Sequence, residues 1–364
     1  MRVLIAGGGT GGHLYPGIAV AREFLRRDGG AEVSFVGTAA GIESRVLARE
    51  QLRLDVIRSS GIKGKSIVRR LRGAFLVPLS VADAWRVISK RRPQLVIGVG
   101  GYSSGPVVLA AALRGVPTMV LEQNAVPGLT NRLLAPFVRA AAVTYDSTRS
   151  FFGKKAFVSG NPVRPEFFRI AGPSAKETGA NDGSAAVRVL VFGGSQGAHA
   201  INVAMVEAAA ELAAGRSHLH LTHQTGERDV EMVRAGYRAA GIAADVEPFF
   251  YDMERQLGHA DLIVCRAGAT TLAEVAAAGR AAILIPLPTA TDDHQRKNAE
   301  ALAASGAAEV ILQRDAGGTA LAKKILSLVA DAGARARMAQ AARALAKPDA
   351  AKVIVDRAME LAGA

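Results

Sequence analysis

One local pattern occurs twice in this chain: a short β-branched run, a glycine-rich turn, then a helical stretch. The first copy is Arg2–Ala6, Gly7–Gly12 and a helix ending near Arg27; the second is Val187–Phe192, Gly193–Gly197 and a helix to about Ala214. A run that is apolar throughout reads as a strand buried on both faces, which requires helices on either side of a parallel sheet. Further runs of this kind are Val33–Val36, Leu95–Val99, Thr118–Leu121 and Ala141–Thr144 in the first half. The second half adds Leu219–Thr222, Leu262–Val264, Ala282–Ile285 and Ala308–Ile311. Helical patterns separate most of them. A βαβ signature given twice predicts an α/β protein of two Rossmann-like domains with parallel sheets.

Length agrees, since 364 residues with 49% hydrophobic content exceed one ordinary core. Aromatic residues are only 5%, which suits close helix–sheet packing better than a β-sandwich. The segment Ser159–Pro165 (SGNPVRP) holds two prolines and a glycine and reads as the junction. The expected domains are therefore 1–160 and 161–345, with 346–364, after the Lys347–Pro348 break, as a helix free to pack back on the first domain. Lys176–Ser184 reads as an exposed polar loop. Cys265 is the one cysteine, which excludes a disulfide framework and points to a reducing compartment. The N-terminus runs straight into a strand-like segment without a cleavable leader. No apolar run reaches the length of about 18 residues that a transmembrane helix needs.

The net charge of +13 is unevenly placed. Residues 1–160 carry 23 Lys/Arg against 9 Asp/Glu, whereas residues 161–364 carry 22 against 23. Segregation of this kind points to a phosphate-bearing ligand, an anionic lipid surface or nucleic acid. No nucleic-acid-binding motif or run of exposed aromatics supports the last, and no nucleic-acid partner is expected. Between Ile62 and Trp85 a basic cluster (Lys63, Lys65, Arg69, Arg70, Arg72) abuts an apolar one (Phe75-Leu76-Val77-Pro78-Leu79, then Trp85). It reads either as a core helix with a solvated basic flank or as an interfacial patch whose aliphatics dip into a leaflet. The charge of the first half favours the membrane surface.

Three glycine clusters follow strands: Gly7-Gly8-Gly9-Thr10-Gly11-Gly12-His13, Gly100-Gly101-Tyr102-Ser103-Ser104-Gly105-Pro106 and Gly193-Gly194-Ser195-Gln196-Gly197-Ala198. Glycine lets backbone approach a ligand, and the helix that follows presents N–H groups and a positive dipole end suited to phosphate. Gly7, Gly9 and Gly12 spell G-x-G-x-x-G, so a dinucleotide site is one reading. That fingerprint needs an acid at the end of the second strand, where Phe35-Val36-Gly37-Thr38 has none and Glu32 precedes the strand. A purely structural turn is another reading. Three such loops across both halves suggest at least two phosphate-bearing ligands.

His13 is the histidine of the first loop. It is either a locally bonded helix-start imidazole or a general base, a role for which imidazole titrates in the right range and the helix dipole keeps it neutral. Thr271-x-x-Glu274 reads as a capping box, with Glu274 bonding back to the backbone, or as a carboxylate for ribose hydroxyls. No D-x-D motif and no His/Cys cluster occurs, so no metal and no cofactor is expected. Leaving-group charge then falls to side chains and helix dipoles.

The three loops, Glu122-Gln123-Asn124 with Gly128-Leu129-Thr130-Asn131, Gly160-Asn161-Pro162-Val163-Arg164, and Cys265 to Glu274 with His294-Gln295 and Asn298-Ala299 together resemble the MurG family over roughly residues 3 to 305. That family converts lipid I to lipid II in peptidoglycan synthesis. The resemblance implies a GT-B fold, two Rossmann-like domains facing across a cleft. It implies that Thr10, Gly11 and Gly12 lie near the donor sugar and the acceptor diphosphate, and that Asn124 contacts the GlcNAc. It gives Arg164 and Ser195 to the UDP diphosphate and Phe250 to the uracil. It gives Ala269, Thr270, Thr271, Leu272, Ala273 and Glu274 to the nucleoside, Glu274 on the ribose, and Gln295 to the sugar hydroxyls. His13 is then the candidate base for inverting transfer from UDP-GlcNAc to the C4 hydroxyl of a lipid-linked muramyl-peptide diphosphate, with His294 and Asp292/Asp293 as weaker candidates. The implied place is peripheral, on the cytoplasmic face of the bacterial inner membrane. Three features depart from the pattern: His199 where Arg is frequent, Arg280 where Pro is usual, and a loop Pro288–Asp293 one residue longer. Other readings are a same-fold UDP-GlcNAc 2-epimerase, a Rossmann oxidoreductase and a non-catalytic membrane-bound scaffold.

Overall fold

Two parallel sheets organise the computed structural model, which describes residues 1–39, 41–59, 67–170, 186–194, 196–215 and 219–363, the side chains of 67–77 excepted. Unit 1 comprises Met1–Arg164 and Lys347–Ala364; unit 2 comprises Pro165–Ala346. Unit 1 carries β1 (Arg2–Gly7), β2 (Glu32–Gly37), β3 (Arg53–Val56), β4 (Leu95–Gly100), β5 (Thr118–Glu122), β6 (Ala140–Val143) and β7 (Ala156–Val158). Its sheet order is β3-β2-β1-β4-β5-β6-β7, parallel throughout. Unit 2 carries β8 (Val187–Phe192), β9 (Leu219–Gln224), β10 (Ala244–Glu247), β11 (Leu262–Cys265), β12 (Ala281–Leu284) and β13 (Ala308–Val310). Its order, β10-β9-β8-β11-β12-β13, repeats the same pattern and is also parallel. The expectation of two Rossmann-like α/β units holds.

Alternation along β1 shows why the strands read as continuous apolar runs. Val3 and Ile5 pack with Leu14, Ile18 and Phe24 of the helix Gly11–Arg27 and with Ile354, Val355 and Ala358 of the C-terminal helix Ala350–Ala362. Leu4 and Ala6 face the other layer, among Ala84, Ile88, Val107 and Val108. Each such fully buried Val, Leu or Ile contributes about 1.5–3 kcal/mol of transfer free energy. The C-terminal helix is also tied to its neighbour by an ion pair between Arg27 and Asp356 and a 3.1 Å hydrogen bond from Arg27 to the Lys352 carbonyl.

Three strands have no counterpart in the sequence reading: β3, β7 and β10. All three lie at sheet edges, where one flank is open and the pattern mixes exposed and buried positions. An edge strand needs no unbroken apolar run, so its signal is weak. The stretch Lys176–Ser184 lies outside the described residues, as do Lys63, Lys65 and the side chains of Arg69, Arg70, Arg72, Phe75, Leu76 and Val77. The helix Ile67–Arg91 runs through the basic–apolar cluster. Among the described residues, no helix is long and apolar enough to cross a membrane.

Candidate substrate-binding site

In a sheet of this order the helices change faces at the reversal of strand order, and a crevice opens beyond the carboxyl ends of the two strands there. The reversal lies between β1 and β4 in unit 1 and between β8 and β11 in unit 2. Every candidate residue of the sequence reading stands in a segment that follows a strand. Thr10–His13, Asn124 and Arg164 are on unit 1; Phe250, Ala269–Glu274 and Gln295 are on unit 2. Ser195 lies outside the described residues.

In unit 1 the first two glycine loops meet backbone to backbone. A Cβ on Gly101, whose φ is +79°, would stand 2.6 Å from the Gly8 carbonyl oxygen. Only glycine permits both that conformation and that approach. Thr10 is the extended N-cap of the helix Gly11–Arg27, makes no side-chain cap bond, and is followed by no acid in the first turn. The helix's own first turn thus supplies no carboxylate to compensate its positive end, which suits an anion site. His13 turns its Nδ1 inward against the second loop: a Cβ on Gly100 would lie 2.6 Å from that nitrogen. Arg164, at the end of the junction segment, stacks its guanidinium 5.0 Å from the Tyr15 ring of the same first helix. The structure therefore brings Arg164, His13 and both loops to one region of unit 1.

Asn124 belongs to a loop organised by Glu122, which is 2% exposed. One Glu122 oxygen accepts the N–H of Asn124 at 3.1 Å and its side-chain amide at 3.3 Å. The other accepts the Gly128 N–H at 2.9 Å and the Asn131 amide at 2.8 Å. The Asn124 carbonyl accepts the Thr148 hydroxyl at 3.2 Å, and Gln123 donates to the Val99 carbonyl at 3.0 Å, joining the ends of β5 and β4. A buried carboxylate persists only when its oxygens are satisfied, and here the donors come from the loop it shapes. The sequence reading quoted Glu122, Gln123 and Asn131 as motif residues without seeing this division of labour.

In unit 2 Gly197, in the loop after β8, packs against the turn after β9, where a Cβ on it (φ +74°) would collide with the Thr225 carbonyl. Gln224, the last residue of β9, donates to the Gly194 carbonyl at 2.8 Å and accepts the Phe250 N–H at 3.2 Å. It was missed from sequence, where β9 alternates leucine with polar residues (LHLTHQ) and nothing marks its last residue as buried. Beside it Asn202 donates to the Thr225 carbonyl at 2.9 Å and to Asp229 at 2.8 Å.

The segment after β11 corrects one reading of Glu274. Gly268 is the N-cap of the helix Ala269–Ala278, which has no side-chain cap bond. Thr271 is therefore its third helical residue and not its cap, so the Thr271–Glu274 capping box does not form. Thr270 and Leu272 are buried; Ala269, Thr271, Ala273 and Glu274 are half-buried. Arg266, just before this helix, is 8% exposed and donates to the carbonyls of Ile285 at 3.0 Å and Pro286 at 3.2 Å and to Gln313 at 2.7 Å. Burial holds its pKa below the usual arginine value. Burial likewise pushes the Cys265 thiol far up, which removes it as a nucleophile. Gln295 accepts the Leu287 N–H at 3.0 Å, fixing the end of the long loop in which Asp292 and Asp293 hold φ near +54° and +56°.

The departures are accommodated locally. His199 sits 3.0 Å from Asp229, and the buried Arg280 donates to the carbonyls of Leu257 at 2.9 Å and Gly258 at 2.6 Å. Among the described residues, no group of three or more His, Cys, Asp or Glu side chains is placed to hold a metal ion.

Residues 3–143 match the glycosyltransferase family 28 N-terminal domain, and residues 188–354 match the glycosyltransferase family 28 C-terminal domain. The chain is 50% identical over 357 residues to the UDP-N-acetylglucosamine--N-acetylmuramyl-(pentapeptide) pyrophosphoryl-undecaprenol N-acetylglucosamine transferase of Geotalea uraniireducens, covering 98% of this chain and 97% of that protein. The crystal structure of Acinetobacter baumannii MurG aligns with a TM-score of 0.77 at 32% identity, over 99% of each chain. A UDP-GlcNAc 2-epimerase from Neisseria meningitidis aligns with a TM-score of 0.70 at 12% identity, covering 99% of this chain and 100% of that one, which shows a shared fold alone.

Proposed function

The chain belongs to the MurG family within glycosyltransferase family 28, and we propose from that premise that it moves GlcNAc from UDP-GlcNAc to the C4 hydroxyl of the muramyl residue of lipid I, forming lipid II. The observation that carries the reading is the 50% identity maintained over nearly the whole chain to a transferase of that specificity. The glycine loops at both strand-order reversals support it, since donor and acceptor each carry a diphosphate. The rival readings have no comparable support: Glu32 opens β2 rather than closing it, where a dinucleotide site needs its acid, and the 2-epimerase likeness is one of fold.

In this reading unit 2 holds the donor. Gln224 sets the loops of Gly194 and Phe250, so that Phe250 backbone meets the uracil. Glu274, half-buried and not engaged as a helix cap, accepts from the ribose hydroxyls, and Gln295 meets the sugar hydroxyls. Unit 1 holds the acceptor near Thr10, Gly11, Gly12 and Asn124. With Nδ1 turned inward, His13 offers Nε2 to take the proton from the C4 hydroxyl. The oxygen attacks the anomeric carbon opposite the UDP, whose bond breaks as the new one forms, inverting the configuration. Arg164, Ser195 and helix N-termini meet the charge developing on UDP.

The acceptor's hydrocarbon tail requires the enzyme to meet a membrane surface, and unit 1 carries features suited to one. The helices Ile67–Arg91, Ser104–Leu113 and Leu129–Leu134 pack in sequence. They and the residues after them expose Leu79, Trp85, Leu113, Leu133 and Phe137. Arg114 stacks 4.9 Å over the Trp85 ring, and Arg86 and Arg139 are exposed nearby in the chain. Apolar side chains among cations match an anionic leaflet. We place the protein peripherally on the cytoplasmic face of the inner membrane.

The test is whether UDP is released from UDP-GlcNAc only when a lipid-linked muramyl-peptide acceptor is added. Release that ignores the acceptor, or conversion of UDP-GlcNAc to an epimer, overturns the assignment.

A further inference from the structure

Glu43 is fully buried, in the first turn of the helix Glu43–Arg49. Both carboxylate oxygens are engaged. Oε2 accepts the Gly9 N–H at 2.9 Å, while Oε1 accepts the Thr38 N–H at 2.8 Å and the Thr38 hydroxyl at 3.1 Å. Three glycines clear its volume. A Cβ on Gly8 would stand 2.7 Å from the carboxylate carbon, one on Gly37 2.7 Å from Cγ, and one on Gly41 would overlap the carboxylate itself. The side chain therefore fills the gap between the ends of β1 and β2, behind the first glycine loop.

Removing a carboxylate from water costs several kcal/mol unless its acceptors are filled. Here the charge is met by donors from two loop segments that have few side chains of their own. Gly7, Gly8 and Gly9 all have positive φ, and a chain of glycines has the most conformational freedom to lose. A ligand-facing loop of that composition needs an outside anchor. The Glu43–Gly9 hydrogen bond supplies one, a single residue before the N-cap Thr10 and four before His13.

We propose that Glu43 is a positioning residue: it fixes the loop 7–12 through the Gly9 N–H and thereby presents Thr10–His13 to the acceptor. The proposal rests on the reading of His13 as the base, but its structural half stands without it. Misplacement of a reacting group by about 1 Å costs on the order of 10²-fold in rate, so a loosened loop shows in kcat.

Glu43→Gln retains the size but turns an NH2 toward an N–H donor. It is expected to lower kcat at least about tenfold, to leave the KM for UDP-GlcNAc and calorimetric UDP affinity within about twofold, and to speed amide exchange of Gly9–His13. Gly41→Ala is a second route, because Gly41 is not among the positive-φ glycines and the three atoms nearest the added methyl all belong to the Glu43 carboxylate. If Gly41 acts through Glu43, the double variant Gly41→Ala/Glu43→Ala loses no more activity than Glu43→Ala alone. Parental kcat and parental loop exchange in Glu43→Gln overturn the proposal. So do multiplicative losses in the double variant, or a loss of UDP affinity equal to the loss of kcat, which marks general unfolding. If the parent protein transfers no GlcNAc at all, the functional reading fails, and loop exchange in Glu43→Gln still decides the role of Glu43.

Discussion

Gln224 donates its side-chain amide to the carbonyl of Gly194 across 2.8 Å, and its oxygen takes the N–H of Phe250 at 3.2 Å. Strand β9 lies between β8 and β10, so a side chain at its end can hold the loops of both neighbours. Gln224→Leu removes both bonds at once. Binding of UDP-GlcNAc is expected to weaken by about 1–2 kcal/mol, the scale of lost buried hydrogen bonds, with the acceptor KM unchanged. Titration calorimetry with UDP checks it, and an unchanged Kd would confine Gln224 to packing.

Glu274 sits in the first two turns of a helix already capped by Gly268. Its truncation therefore leaves the helix end as it was. Glu274→Ala should weaken UDP-GlcNAc by about 1–3 kcal/mol, the range for hydrogen bonds to a charged group, with little change in Tm. Lower Tm with intact donor affinity is the opposite result and would return Glu274 to a structural role.

His13→Ala should lower kcat by about 10²- to 10⁴-fold, the usual worth of general base catalysis. Because His13 is assigned to the acceptor hydroxyl and not to the UDP, UDP affinity should be nearly unaffected. Retention of most activity would make the imidazole a packing group for Gly100 and move the search to another residue.

Binding to anionic vesicles should be reversible and sensitive to salt. Replacing Arg69, Arg70 and Arg72 with Glu should weaken it most at low ionic strength, where each reversal changes the local charge by two. Leu133→Ser with Phe137→Ser removes apolar area and should weaken binding in a way that salt does not mimic. Both variants should still glycosylate a soluble acceptor analogue. Co-sedimentation checks the prediction, and normal binding by both variants refutes the surface.

His223 is buried with Tyr237 2.7 Å from Nδ1 and Asn202 3.0 Å from Nε2. Burial pulls its pKa down from 6.5 to about 3, opposed by the charge of Asp229. The folded chain thus keeps it neutral while the unfolded chain takes up a proton as pH falls below 6.5. Stability should drop between there and pH 3 by up to about 1.4 kcal/mol per pH unit. His223→Gln should flatten that slope, whatever its own Tm. A parallel slope in denaturation between pH 7 and 5 would show that the proton goes elsewhere.

Local pattern alone determined a good deal here. Runs such as Leu95–Val99 and Leu262–Val264 read as buried strands because a parallel strand between two helix layers has no polar face to show. Glycines at 7–12, 100–105 and 193–197 announced loops, since positive φ and close backbone approach leave few other residues eligible. Both signals are one-dimensional, and both survive without knowing what lies beside them. Edge strands β3 and β10 escaped because partial exposure breaks the apolar run, and β7 because its run is only 3 residues long. The roles of Glu43, Glu122 and Gln224 also escaped, for a different reason. Each is a polar side chain that stays buried only because hydrogen-bond partners meet it, from the loop that folds back on it for Glu122 and from another segment for Glu43 and Gln224. Glu43 is 34 residues from Gly9 and Gln224 is 30 from Gly194. Whether a carboxylate is a solvated surface charge or an anchor for a glycine loop depends on desolvation and hydrogen-bond partners. Those exist only once the strand ends have been brought side by side.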